Sequence, residues 1–318
     1  MTSFGSKENH FYGSLLYAEP KIIWCKTWSI SERVDGETHI NPIVKEFANV
    51  EVIWLVSFGW LASDFVCKEI IDGVRSVSAR HKVVFLVNSY EEVSILRRKN
   101  IVCMLVNQNQ FLNKNEFCIV DNTPKKYNAV YNAGFYEYKR HFLAEKVRDL
   151  ALLPRGVGNA EILNAVRGVE GVNLLNYNHN NYRWMGSKEI NLIYNESRCG
   201  LCLSKTEGAM KACMEYLLSG IPVVTTVNKG GRDYFLDGRF TIWVEDDPDS
   251  VLHAVSWFSD SSISPEFIRQ ETLRKLLQAN EMFIQELSAA FSLNVNDLRS
   301  RLMQDDFNIS RERPVDEL

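Results

Sequence analysis

Short, nearly unbroken runs of β-branched and aromatic residues alternate with amphipathic or polar stretches along this chain. In the first half the runs are residues 22–25, 50–56, 83–87, 101–106 and 117–120. Continuously apolar strands of this length predict a parallel sheet covered on both faces. Between them, residues 61–79 and 89–99 read as crossover helices, the second opening at Asn88-Ser89 with Glu91 and Glu92 in its first turn. The first half is therefore expected to be an open α/β domain.

The apolar pattern breaks at Asp121-Asn122-Thr123-Pro124, where Pro124 resists regular structure, so the domain boundary is placed after 123. A strand at 127–133 then leads through Gly134-Phe135-Tyr136-Glu137-Tyr138-Lys139-Arg140-His141 into an expected helix reaching 150. Further elements are a helix at 159–167, a strand at 172–175, a polar loop at 176–185, a helix at 187–197 capped by Ser187, and a strand at 200–203. After 240–245, another strand, Pro248 opens a helix, and 265–291 is helical. Residues 305–318 read as a polar tail.

The most informative stretch is 203–226, which reads as strand, turn, helix, stop, strand. Ser204 and Thr206 supply side-chain oxygens for a helix start near Gly208, and Gly220 followed by Pro222 ends the helix. Apolar residues surround that helix, so its Glu215 is an oddity. Glu207 and Glu215 stand eight residues apart, about 12 Å along a helix, a span that suits the ends of an extended ligand. The plain alternative has Glu207 complementing the helix dipole and Glu215 pairing with Lys211.

Composition narrows the classes. A net charge of −4 gives no electrostatic footprint for nucleic acid. Seven cysteines, mostly inside apolar runs, read as reduced core thiols rather than a disulfide framework or zinc site. The first ten residues carry no apolar core of signal-peptide length and no run of about 18 apolar residues occurs, so a cytoplasmic protein is expected.

The 203–226 segment resembles the signature of retaining glycosyltransferases of the GT-B architecture, family 4 in particular. Its parts stand here as Glu207, Glu215-Tyr216-Leu217, Gly220-Ile221-Pro222-Val223-Val224, and Gly230-Gly231-Arg232-Asp233. The resemblance implies two Rossmann-like domains facing across a cleft: an acceptor-binding domain over 1–123, a nucleotide-sugar-binding domain over 124–264, and helices over 265–304 returning towards the first. It implies catalytic roles for Glu207 and Lys139, with Glu207 on the donor sugar, Glu215 on the ribose and Lys139 on the diphosphate. Gly208, Ala209, Gly230 and Gly231 would complete the donor site. Gly134 stands where the family carries an arginine, and Arg140 or Arg232 would compensate.

For the acceptor, Asp35 and His39 in the polar segment 31–39, and Asn107 and Asn109 beyond 106, are the candidates. Each also reads as an ordinary loop residue. The resemblance further implies no cofactor or metal; Asp246-Asp247, between a strand and a helix start, reads as a dipole-complementing loop rather than an Asp-x-Asp metal site of the alternative GT-A design. A nucleotide-sugar donor, and a glycan or lipid-linked acceptor in bacterial lipopolysaccharide or capsule synthesis, are the expected partners. A lipid-linked acceptor would bring the protein to the cytoplasmic face of the inner membrane. The alternatives are a catalytically weakened nucleotide-sugar-binding protein, motivated by Gly134, and a nucleotide-sugar epimerase.

Overall fold

The computed structural model describes residues 10–156, 158–178, 181–303, 312–314 and 318. Residues 1–9, the loop residues His179 and Asn180, and most of the expected tail lie outside them. The chain divides into two units, one of residues 1–110 with 278–318 and one of residues 111–277.

The first unit opens with strands β1 (His10–Tyr17) and β2 (Lys21–Lys26), paired antiparallel. A helical turn α1 (Thr27–Ile30) leads into a hairpin of β3 (Ser31–Val34) and β4 (Glu37–Ile40), then a second turn α2 (Ile43–Glu46). After these come β5 (Val52–Ser57), α3 (Asp64–Val77), β6 (Lys82–Val87), α4 (Tyr90–Arg98) and β7 (Cys103–Leu105). Strands β2, β5, β6 and β7 run parallel in that spatial order. Every residue of β5 is buried, as a strand covered on both faces requires. Its Trp54 stands edge-on to Phe11 and Phe47, at centroid distances of 6.1 and 5.8 Å.

Helix α4 is capped by Ser89, and Glu92 reaches back past the amide that a capping box would use to the residue before it. Ser89 Oγ accepts the Glu92 amide at 3.3 Å, and buried Glu92 accepts from the Asn88 amide (3.1 Å), the Ser89 hydroxyl (2.9 Å) and the Ala62 amide (2.7 Å). One carboxylate thus joins the ends of two connections.

The second unit carries β8 (Ala129–Tyr131), β9 (Leu150–Leu152), α5 (Ala160–Arg167), β10 (Val172–Leu174) and a small hairpin of β11 (Tyr177–Asn178) with β12 (Asn181–Tyr182). It continues with α6 (Ser187–Asn195), β13 (Gly200–Cys202), α7 (Lys211–Leu218), β14 (Val223–Thr226), β15 (Thr241–Val244) and α8 (Pro248–Ser259). Six strands form one parallel sheet in the order β10-β9-β8-β13-β14-β15. The chain winds outward from β8 in one direction, then restarts at β13 and winds the other way. This is the doubly wound order, and its crevice opens at the carboxyl ends of β8 and β13.

Two expectations change. Residues 117–120 form no strand: the Cys118 and Val120 amides donate to the side chains of Asn191 (3.1 Å) and Asn195 (2.8 Å) on α6, and Phe117 stacks on Tyr194. Those bonds group residues 111–123 with the second unit, so the division falls after Gln110 rather than at 123. Beyond β8, the expected helix to 150 is replaced by two 3₁₀ turns, Glu137–Lys139 and His141–Ala144, hinged on a left-handed Arg140, and then by β9.

Helix α9 (Pro265–Phe291) begins in the second unit and ends in the first, where α10 (Val295–Leu302) follows. Strand β16 (Glu312–Pro314), inside the expected tail, pairs antiparallel with β1 at the edge of the first sheet, and Leu318 is buried. Backbone pairing, which composition does not reveal, holds this short polar segment. No helix among the described residues is long and apolar enough to cross a membrane.

Glu92→Ala is expected to lower unfolding stability by about 2 kcal/mol, because three buried or half-buried donors lose their acceptor. Glu91→Ala, one residue away and exposed, should stay within about 0.5 kcal/mol of the parent. Urea unfolding of the two variants checks this; equal midpoints would contradict it.

Candidate functional site

Three loops leave the carboxyl ends of β8, β13 and β14, and backbone hydrogen bonds lace them together. The Lys205 amide donates to Tyr138 O (3.0 Å), Lys229 to Lys205 O (3.0 Å), Glu207 to Lys229 O (3.0 Å) and Gly231 to Gly208 O (2.7 Å). Gly230, at φ 116° and ψ −163°, takes a conformation that side chains oppose. The Gly231 amide, expected to meet a phosphate, is spent on Gly208.

Beneath the lacing lie two arginines. Arg140 donates through Nε to Leu203 O (2.7 Å) and through Nη2 to Thr226 Oγ1 (2.5 Å), and its Nη1 pairs with Asp246 Oδ2 at 2.5 Å. Arg232 donates to Ser204 O (2.6 Å), to Thr226 O and to Asp233 Oδ1 (2.6 Å), and it is 1% exposed. Both were candidates for the donor phosphates, and both are turned inward. The guanidinium fork fits the carbonyls left unpaired at the strand ends, so these side chains clamp β13 to β14.

On this frame stand Lys139 and Glu207, whose ammonium and carboxylate are in direct contact. Their side chains are only 11% and 8% exposed. Burial, with the Arg232 charge adding to it, draws the Lys139 ammonium down to about 8. The touching carboxylate favours the protonated form. Helix α7 starts at Lys211 with no side-chain cap, so Glu207, four residues earlier, does not act on its dipole, and Ser204 and Thr206 do not cap it. Ala209 is buried just before the helix.

Glu215 lies in the middle of α7 and is 6% exposed. Its Oε2 accepts the Tyr194 hydroxyl at 2.8 Å, and Lys211 Nζ stands 3.7 Å from Oε1. Burial raises its pKa. Tyr194 in turn accepts from Asn132 Nδ2 (2.6 Å), while the Asn132 amide donates to the Tyr216 hydroxyl (2.7 Å). Glu215 is thereby wired to the end of β8. Sequence reasoning missed Asn132 and Tyr194; the only signal for Asn132 was its place at the end of a predicted strand.

An exposed aromatic ring lies close over Gly134. A Cβ there would lie 2.8 Å from the ring of Tyr136, which stacks on Tyr138 at 5.6 Å and 9°. Lys139 Nζ stands 5.3 Å from the Tyr138 ring centre. The loop thus presents an aromatic pair beside Lys139.

The four acceptor candidates lie in the first unit and do not gather. Asp35 and Gly36, at φ 51° and 87°, form the two-residue turn of the β3–β4 hairpin, the Asp-Gly pairing that such a turn favours. His39 is exposed on β4, opposite Glu32. Asn107 and Asn109 are buried: Asn107 Nδ2 donates to Asn88 O (3.1 Å) and its Oδ1 accepts the Asn109 amide (3.0 Å). Those bonds shape the turn after β7. Among the described residues no three His, Cys, Asp or Glu side chains come together as a metal site.

No family model and no curated protein sequence matches the chain. Solved structures do. Sucrose-phosphate synthase from Thermosynechococcus elongatus superposes with a TM-score of 0.56 at 15% identity, covering 76% of this chain and 69% of that one. HepE of Anabaena, solved with UDP and glucose, gives 0.56 at 10% identity, covering 78% and 80%. AviGT4, a glycosyltransferase of avilamycin A biosynthesis, gives 0.52 at 11%, covering 86% and 98%. The fold is the GT-B fold. Within that fold, the laced loops of the second unit occupy the carboxyl edge of a doubly wound sheet, where ligands bind.

His141 provides a test of this packing. It is 8% exposed, its Nε2–H donates to Gly134 O at 3.0 Å, and burial lowers its pKa from 6.5 to about 4. Between those values the unfolded chain takes up a proton that the folded chain refuses. The contribution is complete above pH 6.5 and is lost as the pH falls to 4, by about 3 kcal/mol at most. His141→Gln should lack this slope. Urea midpoints at pH 7, 5.5 and 4 measure it; parallel curves for the two proteins would contradict the assignment.

Proposed function

We propose that the chain is a retaining glycosyltransferase that moves a sugar from a nucleotide-diphosphate donor to a glycan or lipid-linked acceptor. The observation that carries the reading is the buried Lys139–Glu207 pair at the carboxyl edge of the second sheet. An ion pair removed from water at a ligand-binding edge is a poor device for stability, and its two charges match the two demands of sugar transfer. As the bond to the anomeric carbon breaks, negative charge collects on the departing diphosphate and positive charge on the ring. Lys139 is placed for the first. Glu207 accepts hydrogen bonds from sugar hydroxyls and faces the second.

Glu215, 6% exposed and with one oxygen held by Tyr194, turns Oε1, which stands 3.7 Å from Lys211 Nζ, to the ribose hydroxyls. The second unit is then the donor domain and the first unit the acceptor domain, working without a bound metal. A place in bacterial lipopolysaccharide or capsule synthesis, in the cytoplasm and at the membrane face where the acceptor is lipid-linked, completes the reading. Supporting it are the family resemblance of 203–226 and the donors named for similar folds, UDP with glucose in HepE and UDP with GlcNAc in pneumococcal GtfA.

A second reading rests on Gly134. With Tyr136 over this glycine and the neighbouring Arg140 turned inward onto Leu203 O, Thr226 and Asp246, neither takes the place of the arginine that the resemblance leads one to expect, so a nucleotide-sugar-binding protein with weak transfer is the alternative. Release of free nucleotide from the donor separates the two: turnover supports the enzyme, and binding without release supports the alternative.

Glu207→Gln should keep the fold and cut turnover at least ~100-fold, the scale of removing one preorganised group at developing charge. Glu207→Ala should also lose about 3 kcal/mol of stability, because Lys139 is left buried without its partner. Unchanged turnover in Glu207→Gln would overturn the catalytic assignment. Glu215→Gln should weaken UDP binding by about 1–3 kcal/mol, measured by calorimetry. A variant that loses only thermal stability assigns Glu215 to its contacts with Tyr194 and Lys211.

A further inference from the structure

The first unit holds a buried cation that is left without an anion among the described residues. Lys26 is the last residue of β2, level with Ser57 at the end of β5, so it stands at the carboxyl edge of the first sheet. It is 9% exposed. Its ammonium has one polar partner among the described residues, the neutral Oε1 of Gln108 at 3.3 Å, and no carboxylate within ion-pair distance. Three other cations among the described residues that are turned from solvent each face one: Lys139 has Glu207, Arg140 has Asp246 and Arg232 has Asp233. A buried charge is ordinarily paired, because desolvation costs several kcal/mol that nothing else recovers.

The surroundings carry the same imbalance. Gln108 lies across the sheet edge, its Nε2 donating to Gly59 O at 3.4 Å and its backbone amide to Asn88 Oδ1 at 2.9 Å. Gln110, on the same 3₁₀ turn, has a buried Nε2 with no acceptor. What the edge lacks is acceptors and negative charge. Trp60, next to Gly59, is 42% exposed and offers an aromatic face of the kind that sugar rings stack on.

We propose that Lys26, with Gln108 and Gln110, binds the anionic group of a sugar phosphate or sugar acid at the carboxyl edge of the first sheet. The inference rests on the transferase reading only in taking that molecule to be the acceptor. The burial that pushes the Lys26 ammonium down to about 8 is the cost that a bound anion offsets.

The test is a thermal-shift titration of the full chain with inorganic phosphate and, separately, with glucuronate. Sodium chloride of equal ionic strength serves as the reference, and wild type is compared with Lys26→Met. The expected result is a rise in Tm with one of the anions in wild type, lost in Lys26→Met. The effective anion names the class, phosphate or carboxylate. A rise of equal size in Lys26→Met, or no rise with either anion in wild type, overturns the proposal. Should Lys26→Met fail to fold, Lys26→Gln replaces it with the same outcomes. UDP, titrated in parallel, should shift both proteins equally. A UDP response without an anion response sinks this inference alone, and the reverse sinks the donor reading alone.

Discussion

The second unit depends on how the carboxyl ends of β13 and β14 are held together. Strand ends leave carbonyls unpaired, and here Leu203, Ser204 and Thr226 present theirs to two buried guanidiniums. Arg140 reaches them from the left-handed hinge after β8, Arg232 from the turn after Gly230. Each arginine keeps a carboxylate of its own, Asp246 or Asp233, so neither charge is stranded. With β13 and β14 fixed, the four amide bonds of the lacing follow, and the Lys139–Glu207 pair is set at a defined height above the sheet. A charged group is useful to a reaction only when it need not reorganise, and in the proposed reaction this frame would supply that rigidity.

The same frame explains the glycines of the 230–231 loop. Gly230 turns through a backbone conformation closed to side chains, which brings the Gly231 amide onto Gly208. Gly134 lies elsewhere, under the exposed ring of Tyr136. The loop after β8 presents a stacked tyrosine pair, with Lys139 beside it facing Glu207.

Much of this was written in the local pattern. The continuous apolar runs foretold the parallel strands β5, β6, β13 and β14, because a strand covered on both faces has no polar side to alternate. Gly220 and Pro222 marked the end of α7, and Gly220 does take φ 74° there. Contacts made at a distance were illegible. The run 117–120 is apolar and strand-like, yet its amides go to Asn191 and Asn195, more than 70 residues away. Arg140 and Arg232 read as surface charges fit for phosphate, and only the spatial order of the strands shows that they point inward. Lys139 and Glu207 lie 68 residues apart; family resemblance named both, while spacing could not have joined them. Lys26 drew no notice because a lysine at a strand end is ordinary until its burial and missing carboxylate are seen.

The central claim is that the Lys139–Glu207 pair is a donor site awaiting a nucleotide diphosphate. A crystal structure of the protein with UDP tests it most directly. The account predicts a diphosphate within hydrogen-bonding distance of Lys139 Nζ and a ribose beside Glu215. UDP seated away from the carboxyl edge of the second sheet, with the Lys139–Glu207 contact untouched, would contradict it.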